Sequence, residues 1–267
     1  MDTTRFDRDT HVEPRGDGRY EARIDPGWFV VRGPNGGYIA AMLLRALGAR
    51  VDDPARAPRS LTVHYTAPPV EGAAWIETRV ERAGRSLTSV SARLGQGDRL
   101  LALALAAFSL PRADAPAFRD VAPPQVAPPE QCVAFPPRIP IHERFEQRWA
   151  IGSPPFTGGE IAQSGGWIRL SEGTRPLDAP LAAAFSDAWP PAVFGRLKEP
   201  LGRGVPTIDL TIHFRAPLPH PDVRPGDFAL CVFHSGYARD GFLEEDGEIW
   251  SASGELLAHS RQLALLS

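Results

Sequence analysis

The sequence predicts an α+β fold built twice in tandem, each unit an antiparallel sheet wrapped around one central helix. Three observations predict it. The stretch LTVHYTAP at residues 61–68 returns as LTIHFRAP at 210–217, and one constant offset, 213 − 64 = 149, pairs His64 with His213 and Pro68 with Pro217. That offset is the length of a domain and far too long for a solenoid repeat, so the chain reads as two related halves. The stretch 38–47, YIAAMLLRAL, is helical in composition and apolar nearly all round, with no polar face to show to water. Such a helix has to be buried. In each half a strand precedes the helical stretch and four strand-like segments follow it, and one helix with an antiparallel sheet is the α+β arrangement.

Taken in order, the first dozen residues are polar and read as a loose lead-in, and 19–24 as a first strand. Pro34, Asn35, Gly36 and Gly37 form a turn that feeds the helix, with Gly48 placed as its stop. Strands are predicted at 61–67, 74–82, 86–94 and 100–109. Turn residues at Pro68-Pro69, Ala83-Gly84 and Gly95-Gln96-Gly97-Asp98 join them, so each is expected to pair with its sequence neighbour. The stretch 111–140, dense in proline and alanine, has neither period and reads as an extended linker. The second half repeats the plan, with strands at 142–151 and 166–170, then a helical region over 179–197 broken at Pro190-Pro191. Strands follow at 207–215, 227–236, 241–251 and 256–265. The expected organisation is therefore an N-terminal unit over 1–110, a linker over 111–140 and a C-terminal unit over 141–267.

Composition narrows the functional classes. Hydrophobic residues at 43% and charged residues at 23% describe a globular chain, and a net charge of −3 gives no general attraction to nucleic acid or anionic membranes. No apolar run approaches the roughly 20 residues of a membrane span, and the polar N-terminus has no signal-peptide core, so a cytoplasmic location is expected. Cys132 and Cys231 lie far apart without a C-x-x-C pattern, which suits reduced thiols and leaves pairing open. The seven histidines show no H-E-x-x-H or other close metal spacing, and G-x-S-x-G, the P-loop and G-x-G-x-x-G are absent. No metal or cofactor is expected.

Asymmetry between the halves marks candidate site residues. The 149 offset sets Thr207 opposite Pro58, and aligning the final strands at Leu100 and Leu256, an offset of 156, sets Gln262 opposite Ala106. Polar groups present in one copy are not explained by a folding requirement common to both. Asp187, in AFSDAW of the second helical region, is a third candidate. At this point bland alternatives stand beside each: Asp187 as a cap or solvated acid, Thr207 as an ordinary strand residue, Gln262 as an exposed residue on an outer face. Strand alternation puts Thr207 with Asp209, Thr211 and His213 on the face opposite Leu210 and Ile212, and so away from the helix. His64 and His213, repeated at equivalent positions, suggest a structural hydrogen bond within the sheet of each half.

The helix opened by Gly36-Gly37, the strands ending in Ala-Pro, the antiparallel sheets and the duplication resemble the double hotdog fold of acyl-CoA thioesterases. More narrowly, the chain is similar to the acyl-CoA thioesterase II (TesB-like) family. The matches are AFSDAW with Asp187, PTIDLTIHFRAP with Thr207 and LLAHSRQLAL with Gln262, in order along nearly the whole chain. Where that family carries a first-half histidine at the position of Thr62, this chain has it at His64. In that family an Asp, a Thr and a Gln in these contexts hold the hydrolytic water. The resemblance implies hydrolysis of an acyl-CoA partner by water, with Asp187 as general base, Thr207 and Gln262 orienting the water, and the N–H groups near Asn35, Gly36 and Gly37 meeting the thioester oxygen. It also leaves sheet faces through which copies could associate into a homo-oligomer. A non-catalytic acyl-CoA-binding module is the alternative from another class. An enoyl-CoA hydratase is a further one, although its G-D-x-N-P-x-H string is missing.

Overall fold

The computed structural model describes residues 3–266 apart from 32, 113 and 203. Its helices are α1 (Arg5–Asp9), α2 (Gly36–Val51) and α3 (Ala179–Phe185). The strands of the first half are β1 (Glu13–Pro14), β2 (Arg19–Ile24), β3 (Ala57–Tyr65), β4 (Gly72–Ala83), β5 (Leu87–Gln96) and β6 (Arg99–Ser109). Those of the second are β7 (Val133–Ala134), β8 (Phe145–Ile151), β9 (Gln163–Leu170), β10 (Thr207–Phe214), β11 (Ala229–His234), β12 (Ala238–Arg239), β13 (Phe242–Ser251) and β14 (Leu256–Leu265). All join one sheet in the order β1-β2-β4-β5-β6-β3-β10-β14-β13-β11-β9-β8-β7, with β12 attached to β13. Helices α2 and α3 share a buried apolar cluster with the inward-facing residues of the strands, among them Leu61, Val63, Ile76, Leu210 and Ile212. This is the double hotdog arrangement.

The halves meet where β3 pairs antiparallel with β10. Thr62 lies opposite Thr211 with its hydroxyl oxygen 3.0 Å from its counterpart's, and these two residues differ by the repeat offset of 149. A residue facing its own duplicate marks the pseudo-twofold axis. The offset also carries a backbone irregularity: β3 shifts register between Pro58 and Ser60, and β10 between Thr207 and Asp209.

Several elements differ from expectation. Helix α2 runs through Gly48 to Val51 and ends on Asp52 in the left-handed conformation at φ 50°, so Asp52 does what Gly48 was expected to do. A β-carbon at Gly48 would meet nothing closer than Phe108 Cε1 at 3.9 Å. Gly48→Ala is therefore expected to stabilise the protein by about 0.5–1 kcal/mol through lower backbone entropy in the unfolded chain, read as a higher urea midpoint. Strand β3 does not pair with β4; it crosses the unit to lie between β6 and β10, because its free edge completes the joint between halves. The lead-in contains α1, capped by the Thr4 hydroxyl, with Phe6 buried edge-on to Trp28 and Asp7 bridging Arg45 of α2 and Arg175 of the second half. Within 111–140, Val133–Ala134 adds a short edge strand to β8, and Trp167 Nε1 donates to the Ala127 carbonyl. His64 and His213 are exposed on the outer face, and among the described residues neither ring makes a hydrogen bond, so the expected sheet hydrogen bond is not formed.

Candidate active site

The chain leaves α3 after Phe185, and Pro190-Pro191 stops the α-helix from continuing, only a short 3-10 turn following at Ala192–Gly195, so Asp187 lies beyond the helix end rather than within it. The irregular backbone that follows needs partners, and buried side chains supply them. Gln147 Nε2 donates to the Ala188 carbonyl at 2.9 Å, Ser164 Oγ donates to the Pro190 carbonyl at 2.8 Å, and the Ala192 N–H donates to Glu245 at 2.5 Å. The segment carrying Asp187 is thereby tied to β8, β9 and β13.

The Asp187 carboxylate points at the N-terminus of α2. Asn35 caps that helix by accepting from the Tyr38 N–H at 3.0 Å, and its amide nitrogen donates to the Asp187 Oδ2 at 2.9 Å and to the Asp187 carbonyl at 2.5 Å. The Gly37 N–H donates to the same Oδ2 at 3.1 Å. The positive end of a helix attracts a carboxylate, and here it holds one contributed by the other half of the chain. The glycines make room: a β-carbon on Gly36 would stand 2.9 Å from Asp187 Oδ2, and one on Gly37 would stand 2.6 Å from the Ala184 carbonyl oxygen. The expected pair of unengaged N–H groups awaiting a substrate oxygen is therefore not what this arrangement presents, since Gly37 is spent on the carboxylate.

Thr207 reaches the same place through the register shift. Two residues of β10, Thr207 to Asp209, oppose one step of β14, Ala264 to Leu263, and such a bulge turns the first residue to the other face. Simple alternation aimed Thr207 outward; with the bulge its hydroxyl donates to Gln262 Oε1 at 2.8 Å. Gln262 is buried at 6% exposure, which removes the outer-face alternative, and its Nε2 donates to Glu245 Oε1 at 2.8 Å. Asp187 is half-buried, so it is not a freely solvated acid.

Burial pushes the Asp187 carboxyl up to about 6, while hydrogen bonds from Gly37, Gly36, Gln262 and Asn35 pull it back toward the ordinary range. Gln262 thus bonds Thr207 and Glu245, and its amide also helps to hold the Asp187 pKa down. A carboxylate titrating near 6, partly open to solvent and flanked by fixed polar groups, has the properties of a general base. Among the described residues no three His, Cys, Asp or Glu side chains converge as metal ligands.

All six residues singled out from the sequence, Asn35, Gly36, Gly37, Asp187, Thr207 and Gln262, meet here. Two others were missed. Tyr65 donates from its hydroxyl to the Gly36 carbonyl at 2.7 Å, and burial first, then the nearby Asp187 charge, raises its pKa. It stands opposite Phe214 in the repeat, so a hydroxyl present in one copy was already the signal. Glu245 is 4% exposed at an inward position of β13, between Leu243 and Gly247; an acid on the apolar phase of an alternating strand was the signal there.

A family model described as the acyl-CoA thioesterase N-terminal domain matches residues 24–109, and one described as the acyl-CoA thioesterase C-terminal domain matches 118–266. Among solved structures, a protein of unknown function with a hot dog fold from Alicyclobacillus acidocaldarius is 27% identical with a TM-score of 0.88, covering 99% of this chain and 98% of its own. A Thermobifida fusca protein assigned as a thioesterase II is 28% identical with a TM-score of 0.86, covering 100% of this chain and 99% of its own. An acyl-CoA thioesterase II of Mycobacterium marinum, 20% identical with a TM-score of 0.77 and 98% coverage of both chains, shares the fold. Among curated proteins none matches the sequence.

Proposed function

The chain belongs to the acyl-CoA thioesterase family and is a thioester hydrolase, and from that premise we propose that water held by Asp187, Thr207 and Gln262 attacks the thioester carbonyl directly. The observation that carries this reading is the hydrogen-bond order at Gln262. Because the Thr207 hydroxyl proton is committed to Gln262 Oε1, the Thr207 oxygen is left as an acceptor. A water can then donate one hydrogen to Thr207 and the other to the Asp187 carboxylate, which directs its lone pair at the carbonyl carbon. Asp187 takes the proton as the carbon–oxygen bond forms, and the tetrahedral intermediate collapses by expelling CoA thiolate, a good leaving group that needs no strong acid.

Asn35, Gly36 and Gly37 hold the base in the resting site. As Asp187 is neutralised its hold on the Gly37 N–H weakens, and the positive end of α2 becomes available to the oxyanion that develops in the same step. The division into units at 1–110 and 141–267 joined by 111–140 is part of the proposal, and it gives Asn35, Gly36 and Gly37 to one unit and Asp187, Thr207 and Gln262 to the other. We also assign the enzyme to lipid metabolism in a cytoplasmic setting, which the free thiols of Cys132 and Cys231 support.

The test is release of CoA thiol from a panel running from acetyl- to palmitoyl-CoA with aromatic esters included. Turnover of at least one ester that is lost in Gln262→Ala and Thr207→Val supports the trio; undiminished turnover in both removes it. The Asp187 pKa sets the pH dependence. The base works only when ionised, so kcat is expected to fall about tenfold for each unit of pH below about 6. A kcat flat from pH 7 to pH 5 would contradict Asp187 as the base.

A further inference from the structure

We propose that Glu245 is a positioning residue for the hydrolysis: it fixes which end of the Gln262 amide faces Thr207 and fastens Gln262 to the segment that carries Asp187. The inference rests on the reading of Thr207, Gln262 and Asp187 as the water site. The two ends of a glutamine amide are almost the same shape, and nothing in the side chain itself decides between them. Glu245 decides. It lies directly across from Gln262 in the β13–β14 pairing, and its Oε1 accepts from Gln262 Nε2 at 2.8 Å. In its ionised form, above about pH 7, Glu245 only accepts, so the amide nitrogen must face it and the amide oxygen must face Thr207.

That choice sets the polarity of the whole chain of hydrogen bonds. With Gln262 Oε1 toward Thr207, the threonine hydroxyl donates inward and keeps its oxygen free for water. Turned over, Gln262 would donate to Thr207 and send the hydroxyl proton toward the water, replacing an acceptor with a donor.

The other carboxylate oxygen does a second job. Oε2 accepts from the Ala192 N–H at 2.5 Å, at the first residue of the turn Ala192–Gly195 that follows Pro190-Pro191. One buried side chain is therefore bonded both to Gln262 and to the backbone five residues beyond Asp187, coupling the spacing of base and orienting amide. Burial pushes the Glu245 carboxyl up to about 7 against the pull of the Ala192 and Gln262 hydrogen bonds, with Asp187 and Asp246 adding to the rise. An unpaired acid at this depth would be a liability to folding, and both of its oxygens are used.

The experiment is kcat and KM for CoA release by the wild type, Glu245→Gln, Gln262→Ala and the double variant, with near-ultraviolet circular dichroism to establish the fold. Glu245→Gln keeps the shape but puts its own amide nitrogen against either the Ala192 N–H or Gln262 Nε2. The expected result is a kcat lowered roughly tenfold or more with KM nearly unchanged, and no further loss when Glu245→Gln is added to Gln262→Ala. A merely structural role would give losses that multiply in the double variant, and that overturns the inference. Full kcat in Glu245→Gln with Gln262→Ala impaired overturns it alone; full kcat in Gln262→Ala overturns the water site as well. If Glu245→Gln does not fold, Glu245→Asp keeps the charge but withdraws it by one methylene, and a folded Glu245→Asp with wild-type kcat overturns the proposal equally.

Discussion

Replacing Asp187 by asparagine lowers kcat by roughly 10²–10⁴-fold, the usual contribution of a general base, and at the same time makes the protein more stable at pH 8. The activity half follows from chemistry, since an amide cannot take the proton from water. The fold is retained because the amide oxygen can occupy the Oδ2 position and accept from Asn35 and Gly37 as the carboxylate does. The stability half follows from linkage. The folded-state pKa of Asp187 is raised from 3.8 to about 6, so the folded protein holds its proton more tightly than the unfolded chain does. The stability this group contributes is complete below pH 4 and is lost as the pH rises through about 6. At pH 8 the ionised group costs about 2 kcal/mol, allowing for the partial opening of the side chain to solvent. Asparagine removes that cost, so the melting midpoint at pH 8 should rise by several degrees and that at pH 4 should not. A variant equally inactive but less stable at pH 8 would make Asp187 a structural acid.

Gly37→Ala has the opposite character, costing both stability and turnover. In a helix interior alanine is favoured over glycine by about 1 kcal/mol, the gain expected at Gly48. At Gly37 the new β-carbon would stand 2.6 Å from the Ala184 carbonyl oxygen and 2.9 Å from that of Ala183. Both are backbone atoms at the end of α3 and cannot swing aside, so α2 and α3 must separate. Overpacking of this kind costs about 1–3 kcal/mol, which outweighs the propensity gain. The separation also draws the Gly37 N–H away from Asp187, and misplacement by about an ångström costs on the order of 10²-fold in rate. Denaturation midpoints for Gly37→Ala and Gly48→Ala should therefore move in opposite directions, with kcat falling only in the first. Equal shifts would show that the close approach of the helices does not matter.

The contrast between these glycines shows what the sequence carried and what it did not. The duplication was legible because LTVHYTAP and LTIHFRAP survive as text, and residues present in one copy pointed to Thr207 and Gln262. The direction of Thr207 was not legible, because strand alternation assumes unbroken register and the bulge between Thr207 and Asp209 breaks it. A matching irregularity at Pro58 and Ser60 leaves no trace in the residue types. Helix α1 escaped notice because five residues are too few to show a helical period; it is held by Phe6 against Trp28 and by Asp7, whose partners lie in α2 and the second half. The end of α2 was misplaced by reading Gly48 as a stop when Asp52 adopts the left-handed conformation. The engagement of Gly37 with Asp187 joins residues 150 positions apart, a contact no local pattern announces.

Direct attack by water, with no acyl group ever bound to the protein, is tested most sharply by rapid-quench kinetics at enzyme and acyl-CoA concentrations of the same order. CoA release should begin at its steady rate with no burst, and mass spectrometry of the quenched protein should show no acyl adduct at any time. A burst of CoA equal to the enzyme present, with the acyl mass on the peptide that contains Asp187, would show the carboxylate to be a nucleophile and contradict its role as a base.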